Sequence, residues 1–167
     1  MSEGVIETRR LRLRLARLDD AVWMTKEISN PRVHCWLSGP PKPFVESDAL
    51  EFIGARVADE RYRVIECGGE PFGVVSIDDD LGYWLKESAW GQGYMTEAAG
   101  ALVDWHFARG GGTLTSGWLV GNAGSEGVLR KLGFQDTGTR LDWSNYYGRE
   151  VAVERVRRDP PLHRATN

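Results

Sequence analysis

The sequence has few cysteines and histidines, and it lacks long runs of charged or apolar residues. Its 167 residues include 2 cysteines and 3 histidines. Cys35 and Cys67 form no Cys-x-x-Cys pair and have no cluster of ligand residues around them, so we expect reduced thiols and no metal site. The apolar runs are far shorter than the roughly 20 residues that cross a bilayer. We therefore expect a cytoplasmic protein with no signal peptide and no membrane partner.

The charges nearly balance, and no stretch is strongly basic. Lys and Arg total 21, Asp and Glu total 24, and the formal net charge is −3. Proteins that bind nucleic acid concentrate positive charge on one face, so we expect no nucleic-acid partner. The length predicts one domain over residues 1–167 with a sizeable core. Whether the protein forms a homodimer stays open.

The most informative pattern is a strand, a glycine loop and a helix in succession. Alternation predicts a strand at residues 81–85, and helical periodicity from Tyr94 to the glycines at 110–112 predicts a helix. Between them, Gly91 and Gly93 allow the backbone to approach a ligand closely. Free N–H groups at a helix N-terminus favour an anion such as a pyrophosphate. Simple turn chemistry is the alternative interpretation of these glycines.

A second glycine-containing stretch, combined with the first, resembles a known family. NAGSEGVLRKLGF, at residues 122–134, follows an apparent strand and predicts a short helix. Together with WGQGYMTEAAGAL, at residues 90–102, it resembles the GCN5-related N-acetyltransferases (GNAT), in the branch of the ribosomal-protein N-terminal acetyltransferases RimJ and RimL. The opening LRLRLARLDDA and the later NPRVHCWL are also similar to that branch. The resemblance covers most of the chain.

The remaining patterns predict the order of strands and helices. The predicted strands cover residues 5–15, 61–66, 72–77, 81–85, 113–120, 134–143 and 150–157. The predicted helices include one started by Asp19 and Asp20, a turn at residues 31–37, and one at residues 47–58 that is capped by Ser47. This order is similar to the α/β (α+β mixed sheet) GNAT acyl-CoA N-acyltransferase fold, in which helices flank both faces of a central mixed sheet.

Two charged segments are interpreted as solvent-facing. Arg10, Arg12 and Arg14 alternate with leucines in the first strand, which predicts a basic and solvated outer face. The aspartates at residues 78–80 precede the central strand, which predicts a tight and solvated turn.

The resemblance implies which residues bind acetyl-coenzyme A. The family's six-residue phosphate-binding pattern, with glycine fourth, falls on Trp90, Gly91, Gln92, Gly93, Tyr94 and Met95. Asn122 would contact the pantetheine arm, and Trp84, Leu85 and Ser125 would also lie against the cofactor. Met95 replaces a residue that is usually Gly or Ala, so its side chain either crowds the cofactor or turns into the core.

The reaction that the family carries out is direct attack of an amine on a thioester. Amines have pKa values of roughly 8 to 10.4, so the site must accept a proton. The family stabilises the oxyanion with a backbone N–H that here would lie near Leu85. Its tyrosine acid corresponds to Leu129, which cannot donate, so we assign protonation of the departing thiolate to Ser125 as a hypothesis. The alternative for Ser125 is a helix cap or a cofactor contact.

Neither the base nor the acceptor follows from the residues. Glu97 is interpreted as a structural residue at a helix N-terminus, and a water chain is an equal candidate for the base. Trp36, His34 and Tyr146 are predicted to contact the acceptor. That acceptor is a primary amine, either on a protein N-terminus or on a small molecule. The slightly acidic charge balance favours a cationic one.

Two other function classes are weighed against the N-acetyltransferase. One is a non-catalytic acyl-CoA-binding module of the same fold, which Met95 and the missing tyrosine favour. The other is an unrelated nucleotide-binding α/β protein. The sequence has no lysine of the Walker type after its glycines and no G-x-G-x-x-G pattern, and both absences argue against that class.

Overall fold

A computed structural model describes residues 4–162 of the chain. The strands are β1 (Ile6–Glu7), β2 (Arg12–Leu15), β3 (Tyr62–Cys67), β4 (Glu70–Ile77), β5 (Leu81–Leu85), β6 (Leu114–Leu119), β7 (Gln135–Ser144) and β8 (Arg149–Arg158). The helices are α1 (Asp20–Ile28), α2 (Pro31–His34), α3 (Glu46–Gly54), α4 (Tyr94–Ala108) and α5 (Ala123–Lys131). Within residues 4–162, no helix has the length and apolar character needed to cross a membrane.

The strands form two antiparallel sheets that meet at β5 and β6. The larger sheet has the order β1-β2-β3-β4-β5 and the smaller one has the order β6-β8-β7. Helix α4 carries the chain from β5 to β6. Ser116 Oγ on β6 donates to Leu81 O on β5 at 2.7 Å, but no backbone ladder joins these two strands in the described residues. The predicted α/β class is confirmed, and its sheet is divided into two adjoining parts.

Apolar clusters cover both faces of the larger sheet. On one face, Leu81 and Leu85 pack in the same cluster as Met95 and Leu102 of α4. On the other face, strands β3 and β4 pack with α1 and α3. Met95 is only 5% exposed, so its side chain has turned into the core. This placement answers the question that the sequence left open about Met95.

The N-terminal segment is a hairpin, and the single strand predicted at residues 5–15 is wrong. Strands β1 and β2 pair antiparallel, and Thr8 N donates to Leu11 O at 2.9 Å to close the turn between them. The solvated basic face is also wrong for Arg14, which is 6% exposed. Its guanidinium lies 2.7 Å from Asp20 and 2.7 Å from Glu66. Two buried carboxylates therefore compensate its charge.

Helix α3 starts and ends earlier than the pattern predicted. Its N-terminus is closed by Asp48, whose carboxylate accepts from Val45 N at 2.9 Å, so the cap assigned to Ser47 is wrong. Because the helix ends at Gly54, the predicted stretch to residue 58 is too long. Ala49 and Ile53 are its buried residues.

The turn before β5 is only partly solvated. Asp80 accepts from Arg155 of β8 through two hydrogen bonds of 2.6 and 2.8 Å, and also from Thr115 of β6. The prediction of a solvated turn is therefore wrong for Asp80. Its carboxylate connects the two sheets at the place where β5 and β6 begin.

Candidate functional site

A cavity of about 1370 Å³ lies where β5 and β6 separate. One side of it consists of β5, the loop that leads into α4, and the first turns of α5. The other side consists of α1, α3 and the segment at residues 36–41. Ligand pockets usually measure roughly 300 to 1,000 Å³, so this cavity has room for two substrates side by side.

The loop before α4 presents backbone N–H groups to this cavity. Gly91 and Gly93 have φ angles of 72° and 75°, in the left-handed region that favours glycine. An added Cβ at Gly91 would meet no atom within 4 Å, so glycine is required there for conformation and not for space. Helix α4 begins at Tyr94, and the N–H groups of a first turn have no partner inside the helix. The arrangement suits a phosphate group.

A side chain from the N-terminal hairpin supports the same loop. Arg10 Nη1 donates to Gln92 O at 2.9 Å, and its Nε donates to Glu97 at 2.7 Å. Thr8 Oγ donates to Glu97 at 2.6 Å. Burial raises the pKa of Glu97, but the hydrogen bonds from Thr8 and Arg10 outweigh burial and lower it. Glu97 therefore has the structural role predicted for it. Through Thr8 and Arg10 it also connects the N-terminal hairpin to the glycine loop, which the sequence did not indicate.

The backbone of Leu85 faces the gap between the sheets. Lys86 N donates to Phe72 O of β4 at 2.9 Å, and antiparallel ladders alternate, so the N–H and C=O of Leu85 point away from β4. Its carbonyl accepts from the indole Nε1 of Trp90 at 2.9 Å. Trp90 therefore ties the glycine loop to β5, while the N–H of Leu85 is directed toward the cavity side.

Two hydroxyl groups meet at the start of α5. Ser125 Oγ lies 2.9 Å from the phenol oxygen of Tyr83, which is also 3.1 Å from the carbonyl of Ser125. Burial raises the pKa of Tyr83 to about 12, although the hydrogen bond with Ser125 opposes the rise. The helix cap is Asn122, whose Oδ1 accepts from Ser125 N at 3.1 Å. Leu129 is fully buried.

Of the three residues predicted to contact the acceptor, one lines the cavity and two lie behind its wall. Trp36 lines the cavity, but His34 and Tyr146 are not among its lining residues. His34 Nε2 is 3.0 Å from Pro40 O, and Tyr146 packs edge-on against the His34 ring at 5.0 Å. These two residues support the cavity wall from behind.

Trp84 also has a different position from the one assigned to it. Its ring lies on the α1 side of the sheet and stacks on Trp23, with a centroid distance of 5.5 Å. The ring therefore belongs to the wall opposite the glycine loop. Asp48 and Glu51, on α3, line the same half of the cavity, and the sequence did not point to either of them.

Comparison with known proteins agrees with this geometry. Residues 10–135 match the family model described as the acetyltransferase (GNAT) domain. No curated protein matches the chain.

The solved structures most similar to the chain include three acetyltransferases. A GNAT-family acetyltransferase from Bacillus anthracis is 17% identical, with a TM-score of 0.81 over 93% of this chain and 98% of that one. An enzyme from Salmonella typhimurium that modifies the N-terminal serine of a 50S ribosomal subunit protein is 22% identical, with a TM-score of 0.77 over 93% and 98%. RimL, solved with coenzyme A, has the same identity and TM-score over 93% and 97%.

At these identities the solved structures establish the fold, and the match of the family model extends over most of the chain. The chain belongs to the GNAT acetyltransferase family, whose members are acetyl-CoA-dependent N-acetyltransferases.

Proposed function

We propose that this protein, acting as one domain over residues 1–167, transfers the acetyl group of acetyl-CoA to a primary amine by direct attack. The observation that carries the proposal is the cavity that joins the glycine loop to the gap beside Leu85. A phosphate-binding loop can hold coenzyme A, and a backbone donor can stabilise the carbonyl oxygen of its thioester during attack by an amine. Met95 packs in the core cluster and also lines the cavity, and its low exposure supports room for the cofactor at this loop.

In this proposal the predicted cofactor residues other than Trp84 and Trp90 each have a defined task. The backbone amides from Gly91 to Met95 bind the pyrophosphate, and Asn122 contacts the pantetheine arm. The N–H of Leu85 stabilises the developing oxyanion. Acetyl-CoA supplies the thioester, and the protein holds its carbonyl between β5 and α5. We assign Ser125, which lines the same cavity, to the departing sulfur.

The acceptor half of the cavity favours an amine carried on an apolar group. Its walls are formed by Met24, Ile28, Val33, Phe44, Phe52 and Trp84. Asp48 and Glu51 supply negative charge at the edge. The one cationic side chain in this half, among the residues described, is Arg56, which lies 3.8 Å from Asp78 and 3.8 Å from the Phe52 ring. An ammonium group attached to an aromatic or aliphatic body matches these surroundings better than an acidic acceptor does.

Binding and turnover test the proposal separately. Calorimetry with acetyl-CoA, coenzyme A, ATP and NAD should show binding of the two coenzyme A compounds alone. An acetylation assay should then favour phenethylamine and peptides with an apolar first residue over ethanolamine, spermidine and acidic peptides. Binding without turnover on the whole panel would support the non-catalytic module. A preference for ATP or NAD would overturn the proposal.

A glycine variant links binding to the loop. Gly91→Ala forces a side chain into a left-handed conformation, at a cost of about 1–2 kcal/mol, and should weaken acetyl-CoA binding by about tenfold. Gly54→Ala is the matched control, because an added Cβ there meets nothing within 4 Å and its φ is not positive. Equal affinities in both variants would place the cofactor elsewhere.

A further inference from the structure

We propose that Tyr83 is a positioning residue that turns the Ser125 hydroxyl toward the departing sulfur of coenzyme A. This inference rests on the proposed function and adds to it a residue of the central strand. Tyr83 and Ser125 both line the cavity, although 42 residues separate them in the sequence. Their oxygens are within hydrogen-bond distance, at 2.9 Å.

The pair has two possible hydrogen-bond arrangements because a phenol carries a single proton. The phenol oxygen of Tyr83 lies 3.1 Å from the carbonyl of Ser125 and 2.9 Å from its Oγ. If Tyr83 donates to the carbonyl, Ser125 must donate to Tyr83, and its proton is then occupied. If Tyr83 donates to Oγ, the proton of Ser125 is free to point into the cavity. Tyr83 thus sets the direction in which the Ser125 proton points, and without the phenol the Ser125 hydroxyl loses the partner that orients it.

The surroundings keep Tyr83 in the role of a donor. Burial holds its pKa at about 12, so the phenol stays protonated at neutral pH. The backbone N–H of Ser125 is already used by Asn122 Oδ1 at 3.1 Å, which caps the first turn of α5. Leu129, farther along the same helix, is buried and offers no hydroxyl group. Ser125 is therefore the donor that α5 can present beside Tyr83.

The chemical consequence is a hydrogen bond to the leaving group. When the C–S bond breaks, its electron pair passes to sulfur, and the Ser125 hydroxyl donates to that negative charge. Both hydroxyl protons remain on their own oxygens, so Ser125 acts here as a hydrogen-bond donor and not as the acid predicted from the sequence. The proton lost by the amine nitrogen passes to water. A hydrogen bond to a charged group is stronger than one between neutral groups, so the free-proton arrangement is favoured when the thiolate forms.

The kinetics of three variants test whether Tyr83 and Ser125 act as one unit, which we call their coupling. Tyr83→Phe, Ser125→Ala and the double variant should each lower kcat about tenfold, with the double variant no worse than either single one. The KM for acetyl-CoA should stay within about twofold, since a donor to the thiolate acts after binding. Additive losses in the double variant, or an unchanged kcat for Tyr83→Phe, would overturn the coupling.

Tyr62→Phe is the matched control for loss of a phenol. Tyr62 is a buried tyrosine of the larger sheet that does not line the cavity, and its hydroxyl has no hydrogen-bond partner among residues 4–162. Its kcat should equal that of the wild type. A kcat loss there as large as in Tyr83→Phe would mean that any buried phenol matters, and it would overturn the specific role of Tyr83.

A binding measurement separates positioning from a purely structural role. Calorimetry compares coenzyme A with desulfo-coenzyme A between about pH 7 and pH 9.5, a range in which a thiol with a pKa near ~8.5 ionises. In the wild type, coenzyme A should gain affinity over the desulfo compound by about tenfold as pH rises. Tyr83→Phe and Ser125→Ala should lose that gain. A gain retained by Tyr83→Phe would overturn the inference.

The outcomes also distinguish this inference from the proposed function. A wild-type protein that binds no coenzyme A and acetylates no amine would refute the proposed function itself. A wild-type protein that is active, with normal kcat and a normal pH-dependent gain in Tyr83→Phe, would refute the role of Tyr83 alone.

Discussion

Three charged side chains, Arg14, Asp20 and Glu66, meet inside the protein where α1 packs against the larger sheet. Asp20 accepts from Arg14 at 2.7 and 2.9 Å, from Trp23 Nε1 at 2.8 Å, and from Arg17 N at 2.8 Å. Burial raises the pKa of Asp20, but these hydrogen bonds outweigh burial and lower it. Stability contributed by a lowered carboxylate pKa is present above the unfolded value, near ~3.9, and is lost as pH falls through the folded value.

Replacing Asp20 should therefore weaken the protein most at neutral pH. Asp20→Asn leaves the buried Arg14 with one carboxylate and should lower the free energy of unfolding by about 3 kcal/mol. The remaining stability should decline less steeply below about pH 4 than in the wild type. Urea unfolding between pH 7 and pH 3 measures both effects. Asp19→Asn is the control, because Asp19 makes no side-chain cap hydrogen bond, and an equal loss there would refute the prediction.

Arg10 is expected to affect cofactor affinity and not chemistry. Arg10→Ala removes the donor to Gln92 O and leaves the Glu97 carboxylate uncompensated beside a loop that would hold phosphate. The KM for acetyl-CoA should rise about tenfold at an unchanged kcat. Arg10→Lys keeps the charge and should recover part of the loss. The neighbouring exposed residue supplies the control Arg9→Ala, and a kcat loss in Arg10→Ala alone would contradict this assignment.

The role of a single residue could be predicted where it depends on local backbone conformation. It could not be predicted where it depends on a hydrogen-bond partner far away in the sequence. Gly91 and Gly93 could be assigned from the sequence because their left-handed φ angles follow from a tight loop before a helix. Arg10 could not, because its partner Gln92 lies 82 residues away. The strand that carries Tyr83 was predicted, but nothing local in the sequence indicates a second hydroxyl across the gap.

The turn between β7 and β8 fixes one wall of the acceptor cavity. Asn145 N donates to Ser38 O at 2.9 Å, and its Nδ2 donates to Gly39 O at 2.7 Å. Asn145→Ala should loosen the segment at residues 36–41 and raise the acceptor KM about threefold to tenfold, with little change in the KM for acetyl-CoA. Thr139→Ala, which removes a β7–β8 hydrogen bond to Glu154 away from that segment, should leave both values unchanged. A larger effect on the acetyl-CoA KM would refute this role of the turn.

For helices and strands, sequence periodicity predicts where each one lies, but side-chain hydrogen bonds determine where it begins and ends. The apolar stripe of α4 and the hairpin of β7 and β8 have the expected positions. The start of helix α3 differs from the prediction because the carboxylate of Asp48 caps its first turn. From the sequence alone, Ser47 is an equally good candidate for this cap. The turn at residues 8–11 was missed because the alternation of arginine and leucine that marks β2 begins at Arg10, inside the turn. Hydrophobic patterning is insensitive to a turn that is stabilised by one threonine hydroxyl.

For the whole molecule, the separation of the two sheets creates the site. Strands β5 and β6 touch near their starts, where Ser116 donates to Leu81 O, and the cavity lies beyond this contact. The sequence indicates both strands and the connecting helix, but it does not indicate where their pairing stops, because that depends on contacts from β8. Asp80, which joins Arg155 of β8 to the start of β5, is one such contact.

Weakening this junction should lower stability and cofactor affinity together. Burial raises the pKa of Asp80, but hydrogen bonds from Arg155 and Thr115 outweigh burial and lower it. The carboxylate is 35% exposed and partly screened by water, so Asp80→Asn should cost only about 1 kcal/mol in the free energy of unfolding. The Kd for coenzyme A, measured by calorimetry, should rise about threefold to fivefold, because a ligand that contacts β5 and α5 must hold both sheets together. Asp79→Asn changes the same charge in the same turn, so equal effects there would assign the result to net charge and not to the junction.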